Sequence, residues 1–401
     1  MSPLPPIHWI ENETTHTAGW RSASGAPAPA RVVLADDRMT ADAAFRLASE
    51  GTALFWRGDF QNARQLLQAM ARRIDRMSKR PPKALKRAES AASAALSAGM
   101  IDQFNRHRQA QSQRARTLGM LLIPLAADYS VPLRRAPDLR LACSEAYGPT
   151  IDIAADHARP VGSIATVTSL RELQGLIGAH EWRKKGIEVP TLGARIHPHY
   201  GVFAPVRSEY LDLVAAAPLP STEVAFDIGT GTGVLAAILA QRGMRHVVAT
   251  DLDPRALLCA QDNLQRLGLA RQVEVCSADL FPQGRAGLIV CNPPWVPARP
   301  SSPLEQAVFD PDCRMLRGFL GGLAAHLTPA GEGWLILSDL AEHLGLRSRA
   351  TLLELIANAG LRVLGRTDIQ PRHPRAADVT DPLHVARVAE VTSLWRLAAV
   401  A

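Results

Sequence analysis

The feature that most restricts the fold of this chain is the stretch from Glu223 to Trp295, where four short apolar runs each end on a polar or glycine-rich point. Residues 224–228 read as a buried strand, and Gly229-Thr-Gly-Thr-Gly233 turns it into an apolar helix over 234–242. Residues 246–250 predict a second strand ending on Asp251, with Pro254 opening the next helix. Residues 272–276 predict a third strand, ending near Asp279, and 288–291 a fourth, ending on Asn292. Strands and helices alternating at this spacing give a parallel, doubly wound sheet. Such sheets bind ligands beyond the carboxyl ends of their strands, where all four polar points fall.

The glycines have a conformational task. Gly229, Gly231 and Gly233 admit backbone dihedrals closed to other residues and let a ligand approach the main chain. Asp251 stands 24 residues after Asp227, a spacing that suits an acid gripping a ribose diol from the tip of the second strand. A dinucleotide site shares these features. Here, however, the loop lacks the G-x-G-x-x-G spacing that seats a pyrophosphate on the helix. An NAD(P)-dependent oxidoreductase is disfavoured on that ground, and again by Asn292-Pro-Pro-Trp295 after the fourth strand.

Asp227-Ile-Gly-Thr-Gly-Thr-Gly233, Thr250-Asp251, Ala278-Asp279-Leu280-Phe281 and Asn292-Pro-Pro-Trp295 together resemble the class I S-adenosylmethionine-dependent methyltransferases. More narrowly, they are similar to the branch that methylates planar nitrogens through an N/D-P-P-Y/F/W motif. Within it the pattern resembles the protein N5-glutamine methyltransferases acting on release factors; related enzymes methylate amino groups of adenine or guanine. The resemblance covers roughly residues 200–400. It implies an α/β fold with a Rossmann-like seven-stranded sheet, parallel with an antiparallel edge formed by strands at 361–369 and 391–399.

The resemblance also implies roles. Asp227, Gly229, Thr230, Gly231 and Gly233 would surround the methionine part and ribose of S-adenosylmethionine. Asp251 would bind the ribose hydroxyls, with Leu252 beside it. Asp279 would accept from the adenine amino group, and Leu280 would lie against the ring. Asn292, bordering cofactor and target, and the carbonyl of Pro293 would accept hydrogen bonds from the target NH2; Pro294 would stiffen the turn and Trp295 would stack on the target plane. Elementary chemistry agrees. An amide or exocyclic amine has a delocalised lone pair, so two fixed acceptors can aim the nitrogen, and geometry and electrostatics replace a strong base. Two departures stand out: the glutamine branch usually has Tyr where this chain has Trp295, and its P-R-P-x-T-E stretch appears here as Pro205-Val-Arg-Ser-Glu-Tyr210.

At 401 residues, 47% of them hydrophobic, the chain suggests two domains with sizeable cores. Five cysteines (143, 259, 276, 291 and 313) show no metal-ligand spacing, so no metal is expected and a reducing cytoplasm fits best. The opening Met1-Ser-Pro-Leu-Pro-Pro has no signal-peptide character, and the longest apolar stretch, 118–127, is too short to span a bilayer. The net charge of +7 is uneven: residues 64–116 carry 13 Lys or Arg against three acids, a local balance of +10. Such a segment points to a polyanionic partner, RNA or a ribosome first, unless it is simply a solvated helical face.

Along the chain, residues 1–35 read as an irregular arm and 36–195 as a mainly helical accessory or substrate-recognition domain; 196–401 would be the methyltransferase domain. Helices are expected over 40–50, from Gly58 to Pro81, and over 83–117. Ser169-Leu-Arg-Glu172 is a capping box for a helix closed by Gly186. His197-Pro-His-Tyr200-Gly-Val-Phe203 reads as a lid over cofactor or substrate rather than a metal pair. One helix is expected from Asp310 towards Leu327 and another over 340–359. The leading reading is methyl transfer to a planar nitrogen such as a glutamine amide. The alternatives are an RNA or DNA base-amino methyltransferase and a non-catalytic S-adenosylmethionine-binding protein.

Overall fold

The computed structural model describes residues 4–78, 94–150, 164–300, 304–372 and 378–400, which fall into two compact units. The first takes in residues 1–90 and 106–181; the second takes in 91–105 and 182–401.

The first unit begins with β1 (Pro6–Glu11), β2 (Thr14–Trp20), β3 (Arg31–Ala35), α1 (Ala41–Ser49), β4 (Thr52–Trp56) and α2 (Phe60–Ser78). It continues with α3 (Ala94–Leu118), whose residues up to Asn105 belong to the second unit, then β5 (Leu121–Leu125), α4 (Arg140–Tyr147), β6 (Thr166–Ser169) and α5 (Leu170–Lys185). Its six-stranded sheet runs β1-β2-β6-β5-β4-β3, with β3, β4 and β5 mutually parallel. One expectation is corrected and another extended: the supposed irregular arm contributes three strands, and the region 36–195, although most of its described residues are helical, also supplies β4, β5 and β6 to this sheet.

The physical reasons are local. In β1, Ile7 and Trp9 face the core while Ile10 is exposed, so a short edge strand lacks clean alternation. β4 and β5 are buried along their whole length, and such continuous apolar runs do not distinguish strand from buried helix. Thr40 caps α1 as read, its hydroxyl accepting from the Ala43 N–H at 3.3 Å. The capping box is half realised: the Ser169 hydroxyl accepts from the Glu172 N–H at 3.1 Å. The Glu172 carboxylate instead takes the Tyr147 hydroxyl and the Ala23 N–H. Of the expected third helix, residues 83–93, including the basic cluster from Lys83 to Arg87, lie outside the described residues.

The second unit contains β7 (Ile187–Val189), β8 (Ala194–Ile196), α6 (Glu209–Ala216), β9 (Val224–Ile228), α7 (Val234–Gln241), β10 (His246–Asp251), α8 (Pro254–Arg266) and β11 (Val273–Ser277). Then come β12 (Ala286–Cys291), α9 (Arg314–His326), β13 (Leu327–Ser338), α10 (Leu340–His343), α11 (Arg349–Asn358), β14 (Leu361–Ile369), α12 (His384–Ala389) and β15 (Thr392–Ala399). Seven strands run β11-β10-β9-β12-β13-β15-β14. The first five are parallel, and β15 is antiparallel to both its neighbours. The strand order reverses between β9 and β12, which leaves a crevice at their carboxyl ends. Apolar clusters cover both faces, one centred on α6 and α7, the other on α9 and α11.

Two helices differ from expectation. The segment 340–359 breaks into α10 and α11 around Gly345, and Pro311–Cys313 is a separate 3-10 turn before α9. Asp312 and Cys313 both take left-handed dihedrals (φ 56° and 54°), which interrupts a continuous helix.

Across the antiparallel seam, Arg396 of β15 donates twice to Glu332 of β13, at 2.8 and 2.6 Å, and the Trp334 indole adds a third donor at 2.9 Å. Burial would raise the Glu332 carboxyl, but these donors outweigh it and the pKa falls below its ordinary value. A depressed carboxylate contributes stability that is present above its unfolded pKa and lost as pH falls through the folded one. The urea midpoint of the wild type should therefore drop more steeply below about pH 4 than that of Glu332→Gln, as equilibrium unfolding across pH 3–7 would reveal.

Candidate active site

Strand β9 delivers Asp227 to the centre of the second unit, fully buried. Its Oδ2 accepts from the Thr230 hydroxyl at 2.6 Å and the Ala236 N–H at 3.0 Å, while Oδ1 has no hydrogen-bond partner. Burial pushes this carboxyl up to about 6; the two hydrogen bonds oppose the shift and the nearby Asp251 charge adds to it. The glycine loop then folds back, with the Gly229 and Thr230 N–H groups both donating to the Thr250 carbonyl at 2.9 and 2.8 Å. Gly229, Gly231 and Gly233 have φ of 73°, 56° and 79°, where a side chain would strain the backbone. A Cβ on Gly229 would strike the Met315 methyl, and one on Gly233 would lie 3.2 Å from the Ala260 Cα. Bare main chain thus adjoins an unmatched buried carboxylate oxygen.

Asp251, at the tip of β10, is fastened to the same loop. Its Oδ2 accepts from the Gly231 N–H and its Oδ1 from the Asp253 N–H, each at 3.0 Å. Burial raises its pKa against those two bonds, and each oxygen keeps a lone pair for a further donor. Leu252, the next residue, is 54% exposed, an apolar side chain at the strand's carboxyl end. The free oxygen, the bare loop, the second carboxylate and the exposed Leu252 suit the positive charge and diol of S-adenosylmethionine in their chemistry.

The segment after β11 closes against β10, where the Thr250 hydroxyl donates to the Leu280 carbonyl at 2.6 Å. Gly318 and Gly322, one turn apart on α9, make room for it. A Cβ on the first would meet Leu280 and on the second the Phe281 ring. Phe281 stacks on His326 with centroids 4.3 Å apart. Asp279 sits at the rim, half-exposed, paired with Arg314 at 3.0 Å. Any adenine amino group would share that carboxylate with Arg314, a partner to which no sequence signal pointed.

Asn292 follows the buried end of β12. The Trp295 indole N–H donates to its Oδ1 at 2.9 Å, and the Tyr210 hydroxyl of α6 faces the same amide. Burial raises the Tyr210 pKa, as do the charges of Asp227 and Glu209, while Asn292 opposes the rise. The Arg207 guanidinium lies over the Trp295 ring, 5.6 Å from its centroid, and pairs with buried Glu390 at 3.0 Å. Beyond the turn, the Asp310 N–H donates to the Val296 carbonyl at 2.9 Å. The Asp310 carboxylate accepts from the Met315 and Leu316 N–H groups at 3.0 and 3.1 Å. Phe104, in the part of α3 that belongs to the second unit, packs with Val296, Leu340 and Leu383. Sequence reasoning marked the stretch containing Arg207 as a departure but gave the residue no role, and it missed Phe104.

The segment read as a lid has fixed anchors, one of which, Asn263, also donates to the Thr232 carbonyl of the glycine loop at 3.1 Å. The His197 N–H donates to Asn263 at 2.8 Å, His199 pairs with Asp262 at 2.9 Å, and Val202 packs on Ala256 and Cys259. These anchors lie along α8. Among the described residues no three His, Cys, Asp or Glu side chains gather as a metal site, and no helix is long and apolar enough to cross a membrane.

A seven-stranded sheet of this order, with the glycine loop after β9 and an acid at the tip of β10, is the class I methyltransferase fold. Residues 194–341 match the family model described as "Methyltransferase small domain". The chain is 34% identical over 181 residues to the release factor glutamine methyltransferase of Cereibacter sphaeroides, covering 41% of this chain and 63% of the relative. It is 28% identical over 176 residues to a tRNA1(Val) (adenine(37)-N6)-methyltransferase of Shewanella loihica, covering 41% and 70%. The matched part spans only 22% of a ribosomal protein L11 methyltransferase from Pelotomaculum thermopropionicum. Among solved structures, a methyltransferase from Pyrococcus furiosus aligns at 18% identity and a TM-score of 0.37, over 57% of this chain and 99% of that one.

Because the folded pKa of Asp227 lies above the unfolded value, its contribution to stability is present at low pH and lost as pH rises through about 6. Cofactor-free Asp227→Asn should therefore be more stable than the wild type at pH 8, by up to about 3 kcal/mol, and unfold at a higher temperature. The advantage should shrink to about half by pH 5 and vanish only below the unfolded value, about pH 4; paired thermal melts at pH 8 and below pH 4 check this.

Proposed function

We propose that the chain is an N-methyltransferase that moves the methyl group of S-adenosylmethionine to a planar nitrogen. What supports this most is the Asn292 acceptor, one strand away from a bare glycine loop with an unmatched carboxylate oxygen. Asp227 and the glycine loop would hold the methionine part, Asp251 the ribose diol, and Leu252 and Leu280 the adenine faces. When bound, S-adenosylmethionine supplies an electrophilic methyl carbon. Asn292 Oδ1 and the Pro293 carbonyl would accept from the target NH2 and aim its lone pair, and the nitrogen would release one proton as it gains the methyl.

A side-chain amide of a protein glutamine is the first substrate reading, supported by the likeness to release factor glutamine methyltransferase. A base amino group is the second. The local charge of +10 over residues 64–116 favours it, although Arg73 and Arg114 there are already paired with Asp42 and Asp75. Five free cysteines suit a reducing, cytoplasmic setting.

Transfer of labelled methyl into a cell lysate, split into nuclease-sensitive and protease-sensitive counts, tests the reading. Label in protein supports the amide, label in RNA the base amine, and none in either rejects catalysis. Asp251→Ala should weaken S-adenosylmethionine binding by about tenfold or more, as a part-buried charged acceptor is lost; unchanged affinity by titration would remove Asp251 from the site. Asn292→Ala should leave cofactor affinity nearly intact and lower kcat by about 100-fold or more. Parallel loss of both would make Asn292 structural.

A further inference from the structure

The two places where this chain departs from the glutamine-methyltransferase pattern touch each other. Arg207, from Pro205-Val-Arg-Ser-Glu-Tyr210, lies over the ring of Trp295, and Tyr210 faces the amide to which Trp295 is bonded. They form one device.

An asparagine amide offers an acceptor at one end and donors at the other, nearly identical in shape. Its direction decides whether a target NH2 meets an oxygen or another N–H. An indole N–H only donates, so the Asn292 atom 2.9 Å from it must be the oxygen. One lone pair of Oδ1 goes to the indole, and one remains. The indole is itself immobilised, because Arg207 covers one ring face and is bound to Glu390 at 3.0 Å. The Glu390 side chain is 1% exposed and takes the Ser338 hydroxyl at 2.7 Å on its other oxygen. A phenylalanine has no N–H to offer, and a tyrosine carries its hydroxyl at the far end of the ring.

We propose that Trp295 is a positioning residue whose indole N–H sets the Asn292 amide so that its remaining oxygen lone pair, and not its NH2, meets the target amine, with Arg207 and Glu390 holding the indole in place. With one ring face under Arg207, a planar target has only the opposite face to stack on. The proposal rests on the functional reading for what the oriented amide does; the hydrogen bond itself is measured without turnover.

Trp295→Phe keeps a flat ring and removes the N–H. The expected result is a fall in kcat of about tenfold or more, with S-adenosylmethionine affinity and melting temperature close to wild type. Arg207→Gln and Glu390→Gln should lower kcat in the same direction, since each loosens the ring. In ¹H–¹⁵N spectra of the cofactor-free protein, the Trp295 indole resonance is assigned by its absence from Trp295→Phe. It should move towards the free-indole position in Asn292→Ala. An unmoved indole resonance, or Trp295→Phe with full kcat, overturns the positioning role while leaving methyl transfer intact. A wild-type protein that transfers no methyl overturns the functional reading, and the role of the oriented amide with it.

Discussion

Asp227 carries a carboxylate into the middle of the second unit with no solvent on either oxygen, and the surrounding architecture is arranged around that burden. Burying an ionised carboxylate without full hydrogen bonding is among the most expensive arrangements in a protein. Here one oxygen is met by Thr230 and Ala236, and the other is left open. The loop cannot relax to cover the open oxygen. It is tied to β10 by two N–H groups on the Thr250 carbonyl and by Asp251 on the Gly231 N–H. Two acids at neighbouring strand tips and bare main chain between them form an acid-lined recess, the feature on which the proposed cofactor site rests.

Most of this recess was legible in the sequence because parallel strands covered on both faces read as plain apolar runs. Each run in the second unit ends on a residue whose polarity marks the stop: Asp227, Asp251 and Asn292. β9 and β14 have the predicted ends, and α8 begins at Pro254 as read. The first unit hid its strands. Pro124 stands within β5, paired with Val167, whereas proline normally argues against an interior strand. β4 follows Gly51 with no polar interval. Contacts such as Arg207 over Trp295 or Arg314 on Asp279 join residues dozens of positions apart and left no local pattern to read.

The proposed target side of the recess differs in character from the proposed cofactor side. The latter is lined by backbone and carboxylates, whereas the turn after β12 rests on side chains drawn from distant stretches. Tyr210 and Arg207 come from before β9, Phe104 from α3, and Glu390 from just before β15. A side of this composition can change its substrate through substitutions that leave the sheet and the glycine loop untouched, which fits the mixture of protein and tRNA methyltransferases among its relatives.

Helix α9 carries Gly318, Gly321 and Gly322 within 13 residues, each costing about 1 kcal/mol relative to alanine in a helix interior. Alone it would be a poor helix. Leu280 and Phe281 fill the spaces beside Gly318 and Gly322, and Asp310 caps its first turn. The wall expected to face the adenine and the helix behind it therefore pack as one unit. A side chain added at Gly318 or Gly322 would displace Leu280 or Phe281 and so disturb the wall and α9 together, with the sheet left as it is.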